Sequence, residues 1–141
     1  MKAFKLGCCQ AVVDTDATKK WYAQYAGWQC DCEHCLNFVE LAKRGILPAS
    51  IVRRLDELGI PPEKPTYVCS LYTDEAGMHY QFSYRIAGTF QQGADQHETW
   101  DGEEGWCCHE PYPYGAPGFP EVNFDLEFYV PLPWVMEEAE S

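Results

Sequence analysis

Positive charge is almost absent from the second half of this chain. After Lys64 the only Lys or Arg is Arg85, set against fourteen Asp and Glu, whereas residues 1–64 carry nine cations and eight anions. The net charge of −12 is therefore lodged in residues 65–141. A field of that sign repels nucleic acid and anionic membrane, and it attracts a basic protein surface, a cationic ligand or a metal ion. Part of it also serves simply to keep a solvated surface soluble.

Long hydrophobic runs are missing as well. No stretch approaches the ~20 apolar residues needed to span a bilayer, and Met1–Cys9 lacks the apolar core and small-residue cleavage site of a secretory signal. These absences predict a cytoplasmic protein. In that reducing compartment the eight cysteines are buried apolar residues, metal ligands or reactive thiols rather than a disulfide framework. Catalytic signatures are equally scarce: there is no GxSxG, P-loop, GxGxxG or kinase pattern, and the only serines are Ser50, Ser70, Ser83 and Ser141, none in a nucleophile-elbow context. The absences weigh against an enzyme.

What is present is a globular composition. The 141 residues, 46% hydrophobic and 15% aromatic, suffice for a single domain around one core. The patterning predicts an α+β fold, a short helical hairpin packed on an antiparallel β-sheet. Its helical part covers about residues 15–60, its β part about 66–135, and an acidic tail 136–141.

Taken in order, Ala3–Val13 reads as a first strand carrying Cys8 and Cys9 on opposite faces. Asp14–Thr18 supplies capping oxygens for a helix through Trp21, Tyr22 and Tyr25, limited by Gly27. Phe38, Leu41 and Ala42, widened by Leu36 and Val39, form the apolar stripe of a second helix that Lys43-Arg44-Gly45 ends. Pro48 opens a third, with Ile51, Val52, Leu55 and Leu58 inward and Gly59 as its stop. Beyond the stiff Ile60–Pro65 connector, Tyr67–Tyr72 reads as a strand. Met78–Ile86 is another, in which Met78, Tyr80, Phe82, Tyr84 and Ile86 alternate with His79, Gln81, Ser83 and Arg85, predicting one core face and one wet face, with Gly88 bending or ending it. Residues 91–121 form a long Gly-, Pro- and acid-rich segment holding one short strand, Trp106–His109. The last strand alternates Val122, Phe124, Leu126, Phe128 and Val130 with polar neighbours.

Three of the eight cysteines crowd into Trp28-Gln-Cys-Asp-Cys-Glu-His-Cys-Leu-Asn-Phe38, directly before the second helix. A CxxC sets two sulfurs at one turn, as zinc knuckles require, and the preceding CxC step offers a third. Zinc takes four ligands, and no second CxxC exists. The fourth must be His34, Cys69 or one of Cys107, Cys108 and His109; with Cys108 the set is Cys30, Cys32, Cys35 and Cys108. All except His34 would pin the helical half to the β half. Two other readings compete: buried thiols without metal, and a redox pair at Cys32 and Cys35, for which the strand-CxxC-helix context of a parallel βαβ unit is poorly matched.

The acidic segment carries the second constellation. His97, Glu98, Asp101 and His109 are residue types of a metal-assisted hydrolase, but their spacing matches neither HExxH nor a calcium loop. Trp100, Asp101, Glu103, Glu104, Trp106, Tyr112, Tyr114 and Phe119 resemble interface anchors in an anionic surround, since aromatics dominate binding hot spots. Otherwise the segment folds back to cover one face of the sheet. The functional expectation is an acidic interaction protein, zinc-stabilised, that presents this surface to a basic protein partner without binding nucleic acid itself. A sharper form is an inhibitor imitating nucleic-acid charge, as a phage anti-defence protein would; the alternative is the small metal-dependent hydrolase.

The Trp28–Phe38 block, the Gly59–Pro65 connector and the terminal Asn123–Val135 together resemble a group of small bacterial and mobile-element proteins with a CDCxxCxNF-like block. The resemblance implies a single domain ordered helices then sheet, and implies no activity.

Overall fold

The computed structural model describes residues 1–6, 9–91, 106–108 and 114–136, and nothing is said of the side chains of Leu6, Cys9, Trp106 and Cys108. Its elements are β1 (Lys2–Leu6), β2 (Cys9–Val13), α1 (Thr15–Gln24), α2 (Glu33–Lys43), α3 (Ala49–Leu58), β3 (Tyr67–Asp74), β4 (Gly77–Gln91), β5 (Trp106–Cys108) and β6 (Asn123–Leu132). Every strand pairing is antiparallel, in the order β1-β2-β4-β6-β5 with β3 also on β4. The fold is α+β.

Two strands therefore precede the helices, where the sequence reads as one. The Ala3–Val13 stretch is a hairpin, with Lys2 opposite Val13 and Leu6 opposite Cys9. Alternation alone cannot reveal this fold-back, because both arms keep the same period of two. β4 also runs past its expected end. Gly88 adopts φ +145°, and a Cβ there would collide with the carbonyl oxygen of Val12. The glycine thus lets β2 approach β4, which continues to Gln91 and pairs Val13 with Gly88 and Gln10 with Gln91.

The helices start and stop for local reasons. The Asp14 carboxylate accepts from the N–H of Ala17 at 3.0 Å and caps α1; α3 ends where Gly59 turns left-handed at φ 78°. Their inward stripes, Phe38 and Leu41 from α2 with Ile51, Leu55 and Leu58 from α3, are fully buried. They meet the core side of the sheet, where Tyr80, Phe82, Tyr84 and Ile86 of β4 and Phe124, Leu126 and Phe128 of β6 are buried as the alternation predicts. Phe38 packs 4.6 Å from Phe82, which in turn lies 5.4 Å from Phe128. α2 lies mainly against β3, while α1 lies against β4 and α3.

The opposite face is drier than its polar residues suggest. Ser83, Arg85 and Asp125 are buried there. Arg85 stands across the β4–β6 ladder from Asp125, and its Nε donates to the Asp125 carboxylate at 2.8 Å. Phe119 closes over this pair, its ring centroid 6.0 Å from the guanidinium carbon, and packs 4.9 Å from Trp21. The chain around 114–120 thus folds back over the sheet, and Phe119 is a buried plug rather than an exposed anchor. Val122 also departs from expectation: it is exposed, at φ 62°, because β6 begins one residue later.

Candidate metal centre

Cys30 and Cys32 lie in the irregular stretch before α2, Cys32 being its N-cap, and Cys35 sits in the first turn. The backbone N–H of Cys35 donates to the Cys32 sulfur at 3.4 Å, so a cysteine takes the capping role that Ser or Asp usually fills. This folds the CxxC around the helix end. The sulfurs of Cys30, Cys32 and Cys35 all lie within 4.8 Å of one another, with Cys30 and Cys32 exposed and Cys35 buried. No disulfide joins them. Three sulfurs at that separation can converge on one ion at the ~2.3 Å Zn–S distance with only small rotamer changes.

Charge is handled locally. Burial pushes the Cys32 thiol up, but the N–H of Cys35, the thiols of Cys30 and Cys35 and the N–H of His34 outweigh it, and its pKa lies below the ordinary thiol value. Burial pushes Cys35 up to about 12, with the Trp28 indole acting in the opposite direction. That indole N–H donates to the Cys35 sulfur at 3.1 Å. It and the positive end of α2 are the groups that would stabilise anionic sulfur around a bound cation.

The knuckle is bolted to the sheet. Asn37, fully buried, donates to the Tyr80 hydroxyl at 3.2 Å and to the Pro133 carbonyl at 3.2 Å, and accepts from the N–H of Val135 at 2.8 Å. The Tyr80 hydroxyl in turn donates to the carbonyl of His34 at 2.6 Å. One asparagine thus ties α2 to β4 and to the segment after β6. Its polarity on a buried helix face marks it in the sequence, but its partners lie 43 to 98 residues away.

Of the fourth-ligand candidates, His34 and Cys69 do not join the sulfur cluster. The His34 ring instead lies 5.8 Å from Trp134, and the Cys69 thiol donates to the Ser70 carbonyl. Cys107 is buried in β5 opposite Leu126. Cys108 pairs with Asp125 through the backbone; its side chain and His109 lie outside the described residues. Among the described residues the three-sulfur site therefore has an open position.

Beside the knuckle is a cleft of about 450 Å³ that the sequence does not announce, lined by Trp21, Gln24, Tyr25, Trp28, Gln29 and Tyr114 among others. Trp21 of α1 and Tyr25, its C-cap, stack at 4.5 Å, and the Trp21 indole donates to the Pro117 carbonyl at 3.1 Å, anchoring the wall that carries Tyr114. Tyr114 is 80% exposed. Among the described residues no charged side chain lines the cleft. Of the other expected partner-binding residues, Trp100, Asp101, Glu103, Glu104 and Tyr112 lie outside the described residues, as does the side chain of Trp106; so do His97 and Glu98 of the hydrolase reading.

No protein-family model, curated protein or solved structure matches the chain. Among the described residues no helix is long and apolar enough to cross a membrane.

Proposed function

We propose that this chain is an acidic interaction protein whose N-terminal knuckle holds a zinc ion on Cys30, Cys32 and Cys35, and whose aromatic cleft receives a cationic side chain from a basic protein partner. The single observation that carries this reading is the double use of Trp28. The residue lines the cleft and its indole N–H donates to the Cys35 sulfur, so filling the metal site would stiffen the cleft wall. Zinc fits the donor set, since it takes thiolates in tetrahedral sites and leaves one position for a further ligand. A lysine or arginine fits the cleft, because aromatic faces attract cations once water is excluded, and the anionic second half would speed its approach. The imitation of nucleic-acid charge is a narrower form of the same idea, with the partner's own nucleic-acid groove as the basic surface.

Two measurements test it. Elemental analysis of protein purified without chelator should give one zinc per chain, with three fewer titratable thiols than the eight cysteines of the sequence; no zinc and eight reactive thiols would remove the knuckle. Pull-down should recover basic proteins near 0.1 M salt and lose most of them near 1 M, as the Debye length falls from about 10 to about 3 Å. Recovery indifferent to salt would remove the charge-driven partner.

A further inference from the structure

Cys32 and Cys35 occupy two positions that differ in a chemically specific way. Cys32 is the exposed N-cap of α2, and Cys35 is buried one turn further on, with its N–H pointed at the Cys32 sulfur across 3.4 Å. A helical turn sets two Cα atoms within the 4.4–6.8 Å range that a disulfide tolerates. We infer that Cys32 and Cys35 form a thiol–disulfide exchange pair, reacting with disulfides of small thiols or of other proteins, and that this activity shares its sulfurs with the metal site. The exchange stands on the dithiol geometry; only its coupling to metal rests on the zinc reading above.

Exposure dictates the order of events. The Cys32 thiolate attacks one sulfur of an incoming disulfide, forming a mixed disulfide on Cys32 and expelling one thiolate. Cys35, shielded from bulk solvent but facing Cys32, then attacks the Cys32 sulfur. The Cys32–Cys35 bond forms, the second external thiolate leaves, and the proton of Cys35 passes to solvent. Two protein thiols are oxidised and one external disulfide is reduced to two thiols, so the electrons balance. Trp28 holds the Cys35 sulfur in place through its indole N–H. Because any disulfide here removes two of the three metal donors, oxidation and metal binding exclude one another. Cys30 separates the two functions: it lies within reach of both sulfurs as a metal donor, yet the pair can close without it.

The test uses the full chain, reduced anaerobically, with oxidised glutathione as the probe and peptide mapping after alkylation as the readout. Metal-free wild type and C30S should both yield the Cys32–Cys35 disulfide. C30S/C35S should stop with glutathione on Cys32, and C30S/C32S, altered only at exposed positions, should leave Cys35 reduced. Zinc-loaded wild type should release its zinc in step with disulfide formation, read with a chromophoric chelator. If Cys32 and Cys35 are both recovered alkylated from metal-free wild type and C30S, or if glutathione in C30S/C35S sits on other cysteines, the inference is overturned. A reduced protein that binds no zinc but still forms the Cys32–Cys35 bond would sink the metal reading and sustain the exchange. One that binds zinc and never oxidises there would do the reverse.

Discussion

The Trp28 indole N–H donates to the Cys35 sulfur across 3.1 Å, and its ring meets Tyr67 of β3 edge-on at 6.1 Å, while the same residue lines the neighbouring cleft. Trp28 thus links the three-sulfur cluster to the cleft. Replacing the indole with an aromatic ring that has no donor, as in W28F, should weaken zinc binding about 10-fold or more, the usual consequence of deleting a hydrogen bond to a ligating atom. Competition against a chromophoric chelator measures it. An unchanged affinity would show that the contact does not persist around the metal.

Asn37 should be the most sensitive position of α2 outside its apolar stripe. N37A strips partners from the Val135 N–H and the Pro133 carbonyl and one donor from the Tyr80 hydroxyl. Each group left unsatisfied in the interior costs about 1–3 kcal/mol, so a total near 2–4 kcal/mol is expected after partial relaxation. Urea unfolding followed by circular dichroism would read it. A loss below about 0.5 kcal/mol would mean that water replaces the side chain at no cost.

Much of this fold is legible in the sequence, and what is not follows a physical pattern. The alternation of β4 and β6 and the stripe of α2 and α3 name most of the core, because burial on one face leaves a periodic trace, although Leu36 and Val122, placed inward by the same patterns, are exposed. Arg85, Ser83 and Asp125 break the rule: they alternate as solvent-facing residues should, yet all three are buried, and Phe119, from a segment that no periodicity marks, lies over the Arg85 guanidinium. The β1–β2 fold-back and the passage of β4 through Gly88 escape for a related reason, since both depend on which backbone comes alongside. At the knuckle, the CxC and CxxC spacing alone brings three sulfurs together. The cleft was illegible because its walls come from residues 21–29 and 114–117, which only the tertiary fold brings together.

Tyrosine burial gives the chain an alkaline limit. Burial pushes the Tyr25 phenol up to about 12, and burial first, then the nearby charges of Asp125 for Tyr22 and Glu63 for Tyr84, raises Tyr22 and Tyr84 well above their ordinary value. A group whose folded pKa is raised contributes stability that is complete below its unfolded pKa near 10 and is lost as pH climbs through the folded value. The tyrosine contribution to stability should therefore be flat up to about pH 10 and fall above it, through about pH 12 for Tyr25. In phenolate absorbance, Tyr22 and Tyr84 should ionise only as the chain unfolds. Y25F loses the hydrogen bond to the Pro65 carbonyl and should be about 1 kcal/mol less stable at neutral pH. The gap to wild type should narrow above pH ~10, because only wild type can ionise there; a gap constant with pH would contradict the assignment.

Arg85 and Asp125 form the remaining test, because the only cation of residues 65–141 is committed to an interior pair. Both side chains are nearly solvent-free, and Phe119 caps them. Breaking such a pair leaves a buried charge without its counter-charge, so R85M or D125L alone should cost about 3–5 kcal/mol. The double variant R85M/D125L removes both charges and should recover most of that loss, since two apolar side chains between α1, Phe119 and the sheet need no desolvated partner. A double-mutant cycle in urea should therefore show a coupling of at least about 2 kcal/mol. Additive losses would mean that each charge is satisfied mainly by other groups, Asn123 for the guanidinium among them.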